Sequence, residues 1–226
     1  MSEVAKHFDA VAPTYDTWKK RNHYYYENLK VFFQGFVPRG GLVFDFGCGT
    51  GEILASLEPH EGIGMDISPE MVKIARVKFS SQKNLYFTDS QEDPRISSTS
   101  FEYIICADVI EHLEDIDSAL QFLRRVSGRN TRVIISMATA LWEPILMVLE
   151  KLRMKMPEGP HNRISFRTLR RKLELAGFLV EESGTRLLVP TDKIPFADAV
   201  NARFYKFPLL RKLGLVGYIV ARPLFR

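Results

Sequence analysis

Cysteine is scarce in this chain of 226 residues, and long hydrophobic runs are missing. The two cysteines, Cys48 and Cys106, each fall near the end of a predicted buried strand, which favours reduced packing residues over a disulfide or a metal pair. The longest apolar stretches, such as residues 213–221, are too short to span a bilayer. Residues 1–7 lack the apolar centre of a secretion signal. We therefore expect a soluble, cytoplasmic protein that at most attaches to a membrane surface.

Low-complexity segments and internal repeats are also missing, whereas 46% of the residues are hydrophobic and 12% are aromatic. This composition argues against a disordered chain and is ample for one packed core. We expect a single domain over residues 1–226. Its predicted parts are a helical lid (1–36), a ligand-binding core (42–137), an insertion that covers the site (139–164) and a C-terminal part of the sheet (165–226).

Positive charge is concentrated in the last third of the chain. Residues 1–150 contain 15 Lys and Arg against 21 Asp and Glu, whereas residues 151–226 contain 16 against 6. A basic region of this kind favours an acidic partner, such as a phosphorylated substrate, an anionic membrane or nucleic acid. A solvated basic face with no partner explains the same counts.

Short apolar runs alternate with segments of helical spacing along most of the chain. Ser68 can cap a helix that starts with Pro69, and Gly177 suits the end of another. Strands separated by helices predict an α/β fold with a doubly wound, mostly parallel sheet. The predicted strands are residues 42–46, 62–65, 85–87, 101–107, 131–137, 178–181 and 216–221.

Four acids fall at or just beyond predicted strand ends, namely Asp45, Asp66, Asp89 and Asp108. The carboxyl ends of parallel strands share one edge of a sheet, and ligands bind in the crevice outside that edge. The four carboxylates are therefore expected to surround a ligand. Helix capping is the alternative role for Asp45 and Asp66.

Three glycines alternate directly after the first of these acids, at Gly47, Gly49 and Gly51. Glycine allows a backbone to take positive φ and to come close to a ligand, and a loop that leads into a helix aims free N–H groups at it. A dinucleotide fingerprint requires a further glycine at the sixth position from Gly47. That position is Glu52, whose charge is unfavourable beside a pyrophosphate.

The acids and the loop suit a ligand with an adenosine end and an amino-acid end. Asp66 can accept hydrogen bonds from both ribose hydroxyls, and Asp89, with Ser90 beside it, can accept one from the adenine amine. Asp45 can face an ammonium group, with the glycine loop along the chain that joins the two ends. S-adenosylmethionine fits this pattern better than a dinucleotide.

On these residues the sequence resembles the class I S-adenosylmethionine-dependent methyltransferases, and within them the small-molecule group that includes quinone-biosynthesis enzymes. At Glu102 the family usually has Asp. The resemblance implies a Rossmann-like sheet of seven strands with the last strand antiparallel, and S-adenosylmethionine as cofactor. The matching segments are residues 8–16, 45–51, 64–71, 89–90, 100–105, 108–113 and 175–178.

The resemblance also implies which residues bind the cofactor. Tyr15 would belong to the lid, while Ile67 and Met71 would pack around the adenosine, although plain core packing explains Met71 equally well. Asp108 and Val109 would lie under the sulfonium. The full implied set is Tyr15, Asp45, Gly47, Cys48, Gly49, Gly51, Asp66, Ile67, Met71, Asp89, Ser90, Asp108 and Val109.

His112 is the candidate catalytic base, because an imidazole titrates near neutrality and can remove the proton of a phenol or alcohol. Related quinone O-methyltransferases bind a divalent metal through a Glu-x-x-Glu-His pattern. Here Asp108, Glu111 and His112 occupy those positions, so the first acid is Asp and metal binding stays open. A structural role for Glu111 and His112 is the alternative.

The acceptor is expected to be a small molecule, hydrophobic or lipid-like, and O-methylation is favoured. Trp142 begins an apolar stretch that suggests one wall of the acceptor site, and His161 and Arg163 follow a proline-glycine break at its entrance. Residues 203–212 interleave basic and aromatic side chains, which suits an anionic membrane or RNA, or simply a packed terminal segment. An RNA methyltransferase and a non-catalytic cofactor-binding protein are the alternatives. The oligomeric state cannot be predicted.

Overall fold

A seven-stranded sheet runs through the centre of the computed structural model, which describes residues 2–157, 159, 162 and 164–225. The strands lie in the spatial order β3-β2-β1-β4-β5-β7-β6. β7 is antiparallel to both of its neighbours, and the other paired strands are parallel. The strands are β1 Leu42–Phe46, β2 Glu61–Met65, β3 Leu85–Thr88, β4 Phe101–Ala107, β5 Ser127–Ala138, β6 Phe178–Arg186 and β7 Val216–Pro223. The predicted fold class is confirmed.

Helices cover both faces of this sheet. Ser68 caps α4 by accepting a hydrogen bond from the Met71 N–H at 3.2 Å, and Gly177 takes the left-handed conformation after α8, as the sequence predicts. The helices are α1 Glu3–Arg21, α2 His23–Gln34, α3 Glu52–Ser56, α4 Pro69–Lys78, α5 Pro94–Ser98, α6 Ile116–Val126, α7 Glu143–Lys151, α8 Phe166–Leu175 and α9 Ala197–Asn201. None of the helices in the described part of the chain is long and apolar enough to cross a membrane.

Alternation along the strands produces one core on each side of the sheet. Phe44 packs on one side, where its ring stacks on Phe101 at 5.2 Å, while Val43 packs on the other side with Ile105 and Ile134. Burial of both faces is what a mostly parallel sheet requires.

Two predicted strands are too short. β5 begins at Ser127 rather than at residue 131, and β6 continues to Arg186 rather than ending at residue 181. β6 pairs with β7 through an irregularity between Val180 and Glu182. A run of polar residues at the edge of a sheet resembles a loop in sequence, but its backbone still pairs with the neighbouring strand.

At Gly217 of β7, the sheet and α8 approach each other closely. A Cβ atom built on Gly217 would overlap the ring of Phe166, whereas one built on Gly128 of β5 would lie 3.6 Å from its nearest neighbour, the Thr131 hydroxyl. We expect Gly217→Ala to lower the free energy of unfolding by about 1–3 kcal/mol through overpacking, and Gly128→Ala to cost much less. Urea denaturation of both variants measures this. Equal losses would contradict the close approach of α8 to β7.

Candidate functional site

A cavity of about 590 Å³ lies at the carboxyl edge of the sheet. Helices α1 and α2 close it on one side, and α7 forms part of another wall. Most of the residues predicted from the sequence come together here. Those that line the cavity are Tyr15, Asp45, Gly47, Cys48, Gly49, Asp66, Ile67, Met71, Asp89, Asp108, Val109, His112 and Trp142.

Two predicted ligand contacts do not line the cavity. Gly51 precedes α3 at φ 82°, and a Cβ atom there would lie 2.6 Å from the Phe87 ring. This glycine therefore packs against the core and permits the turn of the loop, without lining the cavity. Ser90 is exposed, and its hydroxyl accepts a hydrogen bond from the Glu92 N–H at 3.2 Å. His161 and Arg163 lie outside the described residues.

The backbone of the glycine loop, at Gly47 and Gly49, packs so closely against Val109 and Tyr15 that there is little room for a side chain. Gly47 has φ 81°, and a Cβ atom on it would overlap Val109. A Cβ atom on Gly49 would lie 3.2 Å from the Tyr15 hydroxyl. The loop therefore presents bare backbone to the cavity.

Asp66 holds this loop against the end of β2. One carboxylate oxygen accepts a hydrogen bond from the Gly49 N–H at 2.7 Å, and the other accepts one from the Ser68 N–H at 2.9 Å. Burial raises the pKa of Asp66, and the two N–H donors oppose that shift. Each carboxylate oxygen has a second acceptor site, so the group can still bind a hydroxyl.

Asp45 is 1% exposed, and neither of its carboxylate oxygens has a hydrogen-bond partner among the described residues. Burial raises the pKa of Asp45 to about 7, and the Lys19 ammonium opposes the shift. A buried carboxylate without a partner is costly, and a cationic ligand group would relieve that cost.

Asp108, at the end of β4, has a strained backbone with φ 54°. Its carboxylate accepts hydrogen bonds from the Tyr25 hydroxyl at 2.6 Å and the Ser136 hydroxyl at 2.8 Å. Burial raises the pKa of Asp108, against the effect of these two donors. A non-glycine residue held at positive φ is typical of a functional position.

Glu111 follows Asp108 in a short 3-10 turn, Ile110–His112. One carboxylate oxygen accepts from the Ala138 N–H at 3.4 Å, and the other is buried without a hydrogen-bond partner among the described residues. Burial and the charge of Asp108 raise the pKa of Glu111 to about 8. Burial lowers the pKa of Lys155, which also lines the cavity, to about 8.

Lys19 brings positive charge into the cavity from α1. Its side chain is buried, and its ammonium lies 4.6 Å from the centre of the Tyr15 ring and 5.1 Å from that of Tyr26. Within the described part of the chain it forms no ion pair, so these rings and the more distant acids stabilise it.

Side chains of α1 fasten the lid to the cofactor side of the sheet. Asp9 accepts a hydrogen bond from the Ser68 hydroxyl at 2.5 Å. Asp16 accepts one from the Thr50 hydroxyl at 2.7 Å and pairs with Lys78 at 2.7 Å. The helix therefore lies directly above the glycine loop.

The wall predicted after Trp142 is only partly correct. Trp142, Leu146 and Leu149 line the cavity, and the Trp142 indole N–H donates to the Leu213 carbonyl at 2.7 Å. Ile145 and Val148 are exposed at 48% and 55%. The helix is apolar around most of its circumference, so hydrophobicity alone does not tell which side faces the cavity.

Sequence reasoning does not identify Lys19 or Lys155, and it assigns the tyrosine run 24–26 only to the lid and the core. Both lysines, Tyr25 and Tyr26 line the cavity. Tyr15 and Lys19 are four residues apart on a helix and so share one face, which was a signal for Lys19. Tyr25 and Tyr26 reach the cavity because α2 packs against the sheet edge, and this tertiary contact leaves no local pattern.

The two cysteines, the candidate metal site and Asp89 complete the set of predicted groups. Cys48 and Cys106 are both buried free thiols. Among the described residues, no group of three or more His, Cys, Asp or Glu side chains has the arrangement of a metal site. Asp89 is exposed at the cavity rim.

Comparison with known proteins identifies the family. A family model described as a methyltransferase domain matches residues 17–183. The chain belongs to this methyltransferase domain family. This match confirms the expected methyltransferase family, and the sheet order described above agrees with the fold that the resemblance implies.

Individual relatives are distant. A ubiquinone biosynthesis O-methyltransferase from Aeromonas salmonicida is 29% identical over 155 residues, covering 63% of this chain and 65% of that protein. The chain spans about half the length of other curated relatives that it matches.

Solved structures share the fold at lower identity. One is a chain from a Haloferax volcanii complex of the Trm112 methyltransferase activator with a methyltransferase. It superimposes with a TM-score of 0.68 at 20% identity, covering 96% of this chain and 98% of that one. The magnesium protoporphyrin IX methyltransferase of Synechocystis, solved with bound SAH, gives 0.62 at 20% identity, covering 99% and 100%.

The residues at the sheet edge fit the cofactor that this family implies. The unpartnered Asp45 carboxylate suits an ammonium, and the bare backbone at Gly47 and Gly49 leaves space for a ligand. Asp66 retains acceptor capacity for ribose hydroxyls.

Replacing the Asp45 carboxylate should change how stability depends on pH. Because folding raises its pKa from 3.8 to about 7, the native state keeps a proton that the unfolded chain loses, and wild-type stability falls as pH rises through that window. We expect the unfolding free energy of Asp45→Asn, relative to wild type, to rise by up to about 4 kcal/mol between pH 4 and pH 8. Urea denaturation across this range, without cofactor, measures the difference.

The matched control is Asp89→Asn, which alters an exposed acid at the same sheet edge. It should follow the wild-type pH dependence. If Asp45→Asn did so as well, Asp45 would not be a desolvated acid.

Proposed function

We propose that this protein transfers a methyl group from S-adenosylmethionine to a hydroxyl of a small hydrophobic or lipid-like acceptor. One observation carries the proposal. One cavity joins the carboxylates and glycine loop at the sheet edge to apolar side chains of α7, and Asp108 and Glu111 line the same cavity.

The sheet edge would hold the cofactor. Asp66 would bind the ribose, Asp45 the ammonium group, and Asp89, with Ser90 nearby, the adenine side. The further contacts proposed are Ile67 and Met71 beside the adenosine, Cys48 and the glycine loop beside the methionine part, and Tyr15, Asp108 and Val109 around the sulfonium. When bound, the cofactor supplies a methyl group that is already activated, so it needs no covalent help from the protein.

The protein's own contribution is then alignment, exclusion of water and removal of a proton. The lid supports the first two, since Tyr15 of α1 and Tyr26 of α2 line the cavity. Tyr25 holds Asp108 in place through its hydroxyl. Alignment alone supplies about 7–11 kcal/mol of barrier lowering in favourable intramolecular models.

The chamber beside α7 would bind the acceptor. Trp142, Leu146, Leu149 and Met154 line it, which favours an apolar ring or chain. The Aeromonas relative carries the name of a ubiquinone biosynthesis O-methyltransferase, which is consistent with a hydrophobic acceptor bearing a hydroxyl. Apolar lining of this kind favours a small hydrophobic molecule over RNA.

Glu111 is proposed to receive the proton of the acceptor hydroxyl as the oxygen gains the methyl group. Its unpartnered carboxylate oxygen and its pKa of about 8 support this role, because a base is most effective when its pKa lies near the working pH. His112, the base predicted from the sequence, lines the same cavity and packs edge-on against Phe8 at 5.2 Å between ring centres. It is the alternative base.

Mass spectrometry tests the function most broadly. The protein is incubated with deuterated-methyl S-adenosylmethionine and separate lipid, aqueous and nuclease-treated nucleic acid fractions of a cell extract. We expect a mass-shifted product in the lipid fraction. Labelling of nucleic acid alone would establish the RNA alternative, and no labelling in any fraction would support a non-catalytic cofactor-binding protein.

The pH profile of turnover separates the two candidate bases. For wild type we expect kcat to rise through about pH 8 and level off, because Glu111 must lose its proton first. Glu111→Gln should lose about 10²–10⁴-fold in kcat, the usual contribution of general base catalysis, with little change in cofactor affinity. The control is Glu61→Gln, an exposed acid at the start of β2. A rise centred near the ordinary imidazole range that vanishes in His112→Asn would assign the base to His112 instead.

A further inference from the structure

Helix α7 has two apolar faces, and only one of them meets the cavity. The inner face consists of Trp142, Leu146 and Leu149. On the opposite side, residues spaced by four, three and four positions form an outer stripe that faces solvent. It consists of Leu141, Ile145, Val148 and Leu152, exposed at 56%, 48%, 55% and 62%. Ile145 and Val148 are three positions apart within the helix and so share one side of it, while Leu141 and Leu152 flank its two ends.

The chain before β7 carries a second group of exposed apolar side chains. Trp142 donates its indole N–H to the Leu213 carbonyl, and the Thr139 hydroxyl donates to the Gly214 carbonyl at 2.9 Å, so residues 213–214 lie against the start of α7. Its exposed apolar side chains are Phe207, Leu209, Leu210 and Leu213, at 55%, 81%, 40% and 40%. We call these four residues and the outer stripe of α7 the docking face.

Basic side chains accompany the docking face. Residues 199–215 contain four Lys or Arg and no Asp or Glu. Lys151 and Arg153 add two more at the end of α7. All six are exposed, and none forms an ion pair with an acid among the described residues. The set is Lys151, Arg153, Arg203, Lys206, Arg211 and Lys212.

We propose that the docking face binds the surface of an anionic lipid bilayer. Large exposed apolar patches mark interaction sites, and an apolar stripe flanked by Lys and Arg is the pattern of a segment that lies in a membrane interface. The charges select this occupant over a second copy of the chain. A symmetric dimer would place two basic faces against each other and would therefore be repelled.

The position of the docking face connects it to the cavity. The inner face of α7 lines the acceptor chamber, so a bilayer on the outer stripe would lie one helix diameter from the acceptor. Membrane binding goes beyond the proposed methyl transfer and does not require it. Where it rests on the proposed function, it adds that the acceptor enters the cavity from the lipid bilayer.

Vesicle sedimentation tests the proposal, with the full chain and without cofactor or acceptor. Wild type should bind vesicles of phosphatidylcholine mixed with phosphatidylserine, and binding should weaken with added salt. Phosphatidylcholine vesicles should bind it much less. The variant Arg211→Gln/Lys212→Gln should lose about fivefold in affinity for each charge removed. Ile145→Ser/Val148→Ser should lose about tenfold or more, because two apolar side chains no longer enter the interface.

Matched controls change similar residues elsewhere. Val77 of α4 is 74% exposed and Lys83 is exposed, and both belong to the β2–β3 side of the sheet. Val77→Ser and Lys83→Gln should bind vesicles as wild type does. All variants should keep the wild-type Tm, because each altered side chain is exposed.

Three results would overturn the proposal. They are no binding to anionic vesicles, equal losses in the control variants, and a dimer that Ile145→Ser/Val148→Ser converts to monomer. The last result would show that a second copy covers the face. Titration of S-adenosylmethionine into the same variants keeps this outcome separate from the proposed function, since the docking face does not contact the cofactor site.

Discussion

A group of desolvated carboxyl groups at one edge of the sheet is the constraint on which the rest of the structure depends. Asp45, Asp66, Asp108 and Glu111 are all desolvated, and burial raises the pKa of each. Three of their carboxylate oxygens, both on Asp45 and one on Glu111, also lack a hydrogen-bond partner within the described residues. Ionising such groups away from water is costly. Under the proposed function, the positively charged cofactor would offset part of this cost at Asp45.

The neighbouring elements follow from that constraint. Lys19 enters the cavity between two tyrosine rings and gives the acids partial compensation. Tyr25 and Ser136 satisfy Asp108, and the backbone of the glycine loop satisfies Asp66. Hydrogen bonds from Asp9 and Asp16 hold α1 over the glycine loop, so the lid can limit the access of water to the cavity. Helix α7 completes the cavity with apolar side chains, which separates an ionic region from a hydrophobic one.

Local sequence patterns predicted the parts of this site that depend on strand ends and turns. The strand bounds of β1 and β4, the cap at Ser68 and the positions of Asp45 and Asp66 follow from short-range rules, and the structure has them there. Tyr25 and Lys155 reach the cavity only through tertiary packing, which no spacing rule reports. The outer stripe and the inner face of α7 are both apolar, so hydrophobicity along the sequence could not tell which of them faces the cavity. The polar end of β6 resembled a loop because edge pairing places few demands on side chains.

Calorimetric titration of S-adenosylmethionine into wild type and Asp66→Ala tests the central claim most directly. The account predicts saturable heat for wild type and an affinity at least about tenfold weaker for Asp66→Ala, since hydrogen bonds to a charged group contribute about 1.5–3 kcal/mol. No heat with wild type, or equal affinity of the two proteins, would contradict the claim that the acids at this sheet edge bind the cofactor.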